Sequence, residues 1–124
     1  MTNLLLVGLG GFAGSVCRWL LSRAAITWQH QSKFPIATFA VNIAGCFLIG
    51  IAAAALAKYK LSDSPLKHLL VPGFLGGFTT FSAFGLEAAG MLERGAWGWA
   101  ALYSTASVLC GIAAVAAGMA LFRD

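Results

Sequence analysis

The sequence predicts an all-α integral membrane protein of four transmembrane helices, the third of them broken mid-membrane. Three observations carry that expectation. The chain of 124 residues is 60% hydrophobic and 10% charged, with a mean hydropathy of +0.85, whereas globular chains are about 45–50% apolar and about 25% charged. Its apolar residues gather into four runs, each near the roughly 20 residues that a spanning helix needs. The third run contains GGFTTFSAFGLE, residues 76–87, where paired glycines and threonines are poor helix formers.

The whole chain is expected to be one four-helix domain, with spans at about 4–22, 35–58, 68–92 and 97–122. No charge precedes the first span, and Arg18 and Arg23 come late in it or just after it, so a cleaved signal peptide is not expected. Gly8, Gly10 and Ala13 imitate a dinucleotide fingerprint. That motif needs an acid about 20 residues on, and there is no Asp or Glu between Met1 and Lys60. The glycines read better as small faces for close helix contact, with Gly10/Gly14 and Gly11/Ser15 four apart, and similar pairs at Gly73/Gly77 and Gly111/Val115.

The second span opens at Pro35 and the third follows Pro65, positions where a helix begins readily. On the second, Thr38 and Asn42 are one turn apart; on the fourth, Tyr103 and Ser107 are as well, beside Ser104 and Thr105. The third holds Thr79, Thr80 and Ser82, with Phe81 and Phe84 three apart. The breaks TWQHQSKFP, KYKLSDSPLKH and ERG are short, so consecutive spans should be antiparallel neighbours.

Charge is balanced across the membrane. With four spans, one side carries Lys58, Lys60, Lys67 and Arg123, and the other carries Arg18, Arg23, Lys33 and Arg94. Orientation normally follows a Lys/Arg excess in cytoplasmic loops. An even tally predicts insertion both ways round and an antiparallel, dual-topology homodimer. The alternative is that one positional charge decides, for instance Arg18 lying too deep to count.

Several functions are disfavoured. His30 and His68 fall in loops and form no catalytic triad with Ser and Asp, so no enzyme is expected. A dual-topology small multidrug-type exporter needs a buried acid in its first span, and the only intramembrane candidate is Glu87 in the third. The basic residues are scattered along the membrane edges rather than grouped for nucleic acid. Cys17, Cys46 and Cys110 fall inside spans as small hydrophobes without metal-site spacing. A membrane accessory subunit without transport of its own stays open.

The residues of the third span suggest more than anchoring. Non-helical backbone at this depth is tolerated only inside protein or beside a water-filled path, where freed carbonyls can bind a cation. An aromatic ring has a positive edge, so Phe81 and Phe84 can receive an anion there without a full positive charge; ordinary packing is the competing role. Thr38, Asn42 and the hydroxyls form either interhelical hydrogen bonds or a shared polar track.

GFLGGFTTFSAFGLE resembles the signature of the Fluc/CrcB family of fluoride channels. GGFAGSVCRWLL, FPIATFAVNIAGCFLIG and YSTASVLCG on the other three spans are similar to it too, in order and at family length. The resemblance implies an antiparallel homodimer in the bacterial plasma (inner) membrane, with two pores passing fluoride passively out of the cell. It implies that Phe81, Phe84 and Asn42 line the ion path, with Tyr103, Ser107, Thr38 and Ser82 as polar positions. It implies a central structural sodium ion held by the backbone carbonyls of Gly76 and Thr79. Glu87 and Arg18 match charged positions near the pore mouths. Family members often carry hydroxyl residues where this chain has Ala83, Gly85 and Gly111, which leaves Ser107, Thr38 or water to serve that part of the track.

Overall fold

The computed structural model describes residues Met1–Arg123, and every regular element among them is helical. Helix α1 (Thr2–Ala24) is followed by a short helix α2 (Ile26–Gln31) and by α3 (Ile36–Lys58). The third span, Pro65–Glu93, is composite: α4 (Pro65–His68), a π-helical segment (Leu69–Leu75), α5 (Gly76–Phe78) and α6 (Phe81–Glu93). Helix α7 (Trp97–Ala120) completes the chain. Four helices are thus long and apolar enough to cross a membrane.

The boundaries follow local chemistry. Pro65 occupies the first turn of α4, where its missing N–H costs nothing. Helix α6 ends in a Schellman turn: Gly95 takes φ +74°, and Ala96 N–H reaches the Met91 carbonyl at 2.8 Å. The segment read from sequence as a plain first loop instead contains α2. Gln29 fixes it, donating from Nε2 to the Phe34 carbonyl (3.1 Å) and accepting at Oε1 from Ala37 N–H (3.3 Å).

The third span has two irregularities. Pro72 lies inside the π-helical segment; it removes a backbone donor and crowds the preceding turn, and a widened turn accommodates both. Seven residues later, Thr79 (ψ 157°) and Thr80 (φ −150°, ψ 115°) take extended backbone between α5 and α6.

Two helix pairs build the bundle. Helix α1 packs against the first half of the third span through small residues on both sides. A β-carbon on Gly14 would run into the Phe74 carbonyl, and one on Gly77 into the Gly11 carbonyl. These are the four-apart faces expected from sequence, now meeting each other. Helices α3 and α7 form the second pair, closest at Gly50 against the Val115 carbonyl and Gly118 against the Phe47 carbonyl. Sequence reading missed Gly50 and Gly118, although Gly111, Val115 and Gly118 lie on one face of α7. Large apolar side chains on the outside, such as Leu5, Phe12, Leu109 and Ile112, suit a lipid environment. Cys110 is exposed on α7 rather than buried, while Cys17 and Cys46 are half-buried.

Candidate functional site

Two extended residues expose backbone groups that a continuous helix would satisfy internally, and Asn42 on α3 answers them. Its Oδ1 accepts from Thr80 N–H at 2.8 Å, and its Nδ2 donates to the Thr80 carbonyl at 3.0 Å. The side-chain amide thus pairs with the extended residue much as a neighbouring strand would. Because Nδ2 carries two hydrogens, one donor remains for another partner.

The pairing redirects donors. In an unbroken α-helix Thr80 N–H would bond to the Gly76 carbonyl, and Ala83 N–H to the Thr79 carbonyl. Here Thr80 N–H goes to Asn42, and Ala83 N–H goes to Thr80 Oγ1 at 3.2 Å. Gly76 and Thr79 therefore lose the α-helical donors for their carbonyls. The Gly77 carbonyl, next to Gly76 in sequence, is treated differently: it accepts from Arg18 Nε at 3.0 Å and from Ser15 Oγ at 3.5 Å. Arg18 is half-buried and anchors α5 to α1. The Thr79 hydroxyl turns back to the Leu75 carbonyl (2.9 Å).

Asn42, Gly76, Thr79, Thr80, Phe81, Phe84 and Ser107 share the lining of one pocket of about 370 Å³. Phe81 and Phe84 lie with ring centroids 5.5 Å apart, and Phe84 lies 5.0 Å from Tyr103. Phe81 is 83% exposed, so one face of this pocket is open at the molecular surface. The exposed Ser82 shares a 3.3 Å contact with the Thr80 hydroxyl.

Tyr103, which is fully buried, connects this pocket to a second polar group. Its hydroxyl donates to Glu87 Oε2 at 2.8 Å, and Thr38 Oγ1 donates to Glu87 Oε1 at 2.5 Å. Three helices thereby converge on one carboxylate. The Phe34 ring stacks edge-on against Tyr103 at 5.3 Å, and Met91 and Ala100 complete the buried cluster. Glu87 and Thr38 also line a wide recess of about 800 Å³ together with Gln29, Lys33 and Arg94.

The expected residues thus fall into three groups. Asn42, Phe81, Phe84, Ser107, Gly76 and Thr79 surround the 370 Å³ pocket; Thr38 and Tyr103 both bond to Glu87; Arg18, bonded to the Gly77 carbonyl, and the exposed Ser82, beside the Thr80 hydroxyl, belong to neither set. Sequence reading counted Thr80 among the polar residues of the third span but gave it no role of its own, although its backbone and hydroxyl hold the extended segment, and it treated Lys33 and Arg94 only as membrane-edge anchors. Their position on the same side as the ends of the second and third spans was legible from topology; their convergence on one recess was not. Among the described residues no cluster of three His, Cys, Asp or Glu side chains can hold a metal ion.

Comparison with known proteins covers the same length of chain. The family model of the CrcB-like proteins (Camphor Resistance, CrcB) matches residues 5–119. A fluoride-specific ion channel FluC of Phenylobacterium zucineum is 48% identical, over 99% of this chain and 97% of its own length. The protein of that name from Agrobacterium fabrum is 45% identical, over 100% of this chain and 98% of its own, and that from Methylobacillus flagellatus 40%, over 99% and 96%. Four membrane-spanning helices and bacterial relatives throughout make this a multi-pass protein of the bacterial inner membrane. By a match that spans nearly its whole length, the chain belongs to the CrcB family.

Proposed function

We propose that the protein is a fluoride-selective ion channel, not an enzyme, which exports cytoplasmic fluoride passively through two pores of an antiparallel homodimer with a central structural sodium ion. Relatives named as fluoride-specific channels support the substrate. The observation that carries the reading is the pocket in which the free hydrogen of Asn42, the Ser107 hydroxyl and the rings of Phe81 and Phe84 share one lining.

Fluoride is small and strongly hydrated, so a path must replace water's donors without holding the ion too tightly to leave. Amide and hydroxyl donors with positive ring edges meet that condition; a ring of Lys or Arg would attract anions without discriminating among them. Lys33 and Arg94 line the wider recess, where positive charge raises the local anion concentration. Glu87 would repel an anion if its oxygens were bare, and the donors from Thr38 and Tyr103 occupy one oxygen each.

The exposed break supports the second copy. Gly76 and Ser82 are exposed, and Phe81 nearly fully so, yet freed backbone groups cannot face hydrocarbon without a cost of several kcal/mol each. A copy related by a twofold axis in the membrane plane would cover this face and bring two such breaks together. The balanced basic residues are compatible with that pairing. The carbonyls of Gly76 and Thr79, deprived of their helical donors, fit a hard cation such as sodium; it would supply the charge that lets two breaks meet.

Liposomes loaded with fluoride or chloride test the function. Purified protein is expected to release fluoride rapidly and chloride at least about a hundredfold more slowly, the ratio that roughly 2.7 kcal/mol of discrimination gives. Absence of fluoride efflux, or equal passage of chloride, would reject the proposal; proton-driven transport of a quaternary cation would favour an exporter instead. For the sodium site, Thr79→Ala is expected to weaken sodium binding by less than about tenfold. It removes a hydroxyl bonded to Leu75, worth about 1 kcal/mol, and leaves the carbonyl in place. A sodium titration of thermal stability checks this, and loss of the sodium response in Thr79→Ala would contradict a backbone-only role.

A further inference from the structure

We infer that Asn42 and Thr80 are the positioning residues of the cation site: their side chains take up the two N–H groups that would otherwise close over the Gly76 and Thr79 carbonyls. The inference rests on the sodium reading above and adds the device that keeps that site open.

Four neighbouring bonds carry it. Asn42 Oδ1 holds Thr80 N–H at 2.8 Å, and Thr80 Oγ1 holds Ala83 N–H at 3.2 Å. Each is the α-helical donor of one carbonyl, Gly76 and Thr79 respectively. Asn42 Nδ2 additionally holds the Thr80 carbonyl, fixing that residue in extended backbone. The fourth, from Arg18 Nε, satisfies the Gly77 carbonyl, so α5 keeps one carbonyl engaged while its neighbours on the same strand of chain are released. The Gly77 carbonyl is thus engaged, while those of Gly76 and Thr79 lack their helical donors.

A consequence follows for the ion path. Asn42 keeps one Nδ2 hydrogen without a partner in the chain and shares a pocket lining with Phe81 and Phe84, while its oxygen maintains the break. One side chain therefore serves both the anion path and the cation site. Losing its oxygen lets Thr80 N–H return to the Gly76 carbonyl, and the two sites fail together. Thr80 acts on the cation side through its hydroxyl, and serine in its place keeps that oxygen.

The test is a sodium titration of the purified full-length protein, reading the thermal midpoint in sodium chloride against N-methylglucamine chloride at constant ionic strength. A cation that binds only the folded state raises the midpoint with concentration. Thr80→Val keeps the side-chain volume and removes the oxygen; it is expected to shift the sodium titration at least about tenfold to higher concentration. Thr80→Ser is expected to stay within about threefold of the parent protein. Asn42→Leu is expected to lose the sodium response together with fluoride efflux. A parent protein that responds to sodium, with Thr80→Val responding equally, would overturn the inference and leave the sodium site standing. A parent protein indifferent to sodium would overturn the cation reading and this inference with it. Should Asn42→Leu fail to fold, the contrast between valine and serine at position 80 still decides.

Discussion

Phe81→Ile is expected to reduce fluoride efflux from liposomes by about a hundredfold while leaving the protein folded. The ring lines the same pocket as Asn42, Ser107 and Phe84, with the Phe84 ring 5.5 Å away. Isoleucine keeps apolar bulk but has no positive edge to offer an anion. An unpaired ion in a poorly solvated path costs several kcal/mol, and each 1.36 kcal/mol added to a barrier is a tenfold loss of rate; a loss of roughly 2.7 kcal/mol gives the figure. Phe81 is 83% exposed in the single subunit, so its replacement leaves no cavity in the subunit core. Size-exclusion chromatography beside the flux assay separates the two effects. Intact efflux in folded Phe81→Ile protein would remove the ring from the path, and loss of folding would make it a packing residue.

Gly14→Val is expected to abolish folded protein. A β-carbon at Gly14 lands on the Phe74 carbonyl and lies 2.9 Å from the Phe78 backbone nitrogen. Backbone on both sides cannot turn away as a flexible side chain would, so α1 would have to separate from the third span. Overpacking costs typically 1–3 kcal/mol and more when backbone must move, against a total stability of about 5–15 kcal/mol. The displaced segment runs directly into α5 and the extended residues, so fluoride efflux is lost with the fold. Gly8→Val provides the control, since nothing lies within 4 Å of a β-carbon there, and valine is a slightly better helix former than glycine. Yield of monodisperse protein and its thermal midpoint compare the two. A well-folded Gly14→Val protein would mean that α1 does not approach the third span this closely.

The spans were legible because apolar length is a local property. So was the location of the irregular backbone: Gly76, Gly77, Thr79 and Thr80 are weak helix formers within a few residues of one another. The π-helical segment was equally readable from Pro72, but the Gly-Gly pair downstream drew the reading away from it. The short helix α2 escaped because its six residues carry no apolar period; the Gln29 amide, bonded across to Phe34 and Ala37, is what holds it.

The sequence by itself determined four apolar spans, their balanced flanking charges, the small faces at Gly10/Gly14 and Gly73/Gly77, and a cluster of weak helix formers within the third span. Each of these depends on residues within a turn or two of one another, and periodicity records such neighbours. Tertiary structure alone decided which polar groups answer the irregular backbone. Asn42 reaches Thr80 across 38 residues, Arg18 reaches Gly77 across 59, and Thr38 meets Glu87 across 49. The physical reason is that side-chain spacing within a helix gives the direction of a face but not the face it meets. That choice is made when the helices pack, and packing is what brings the Arg18 guanidinium onto the Gly77 carbonyl.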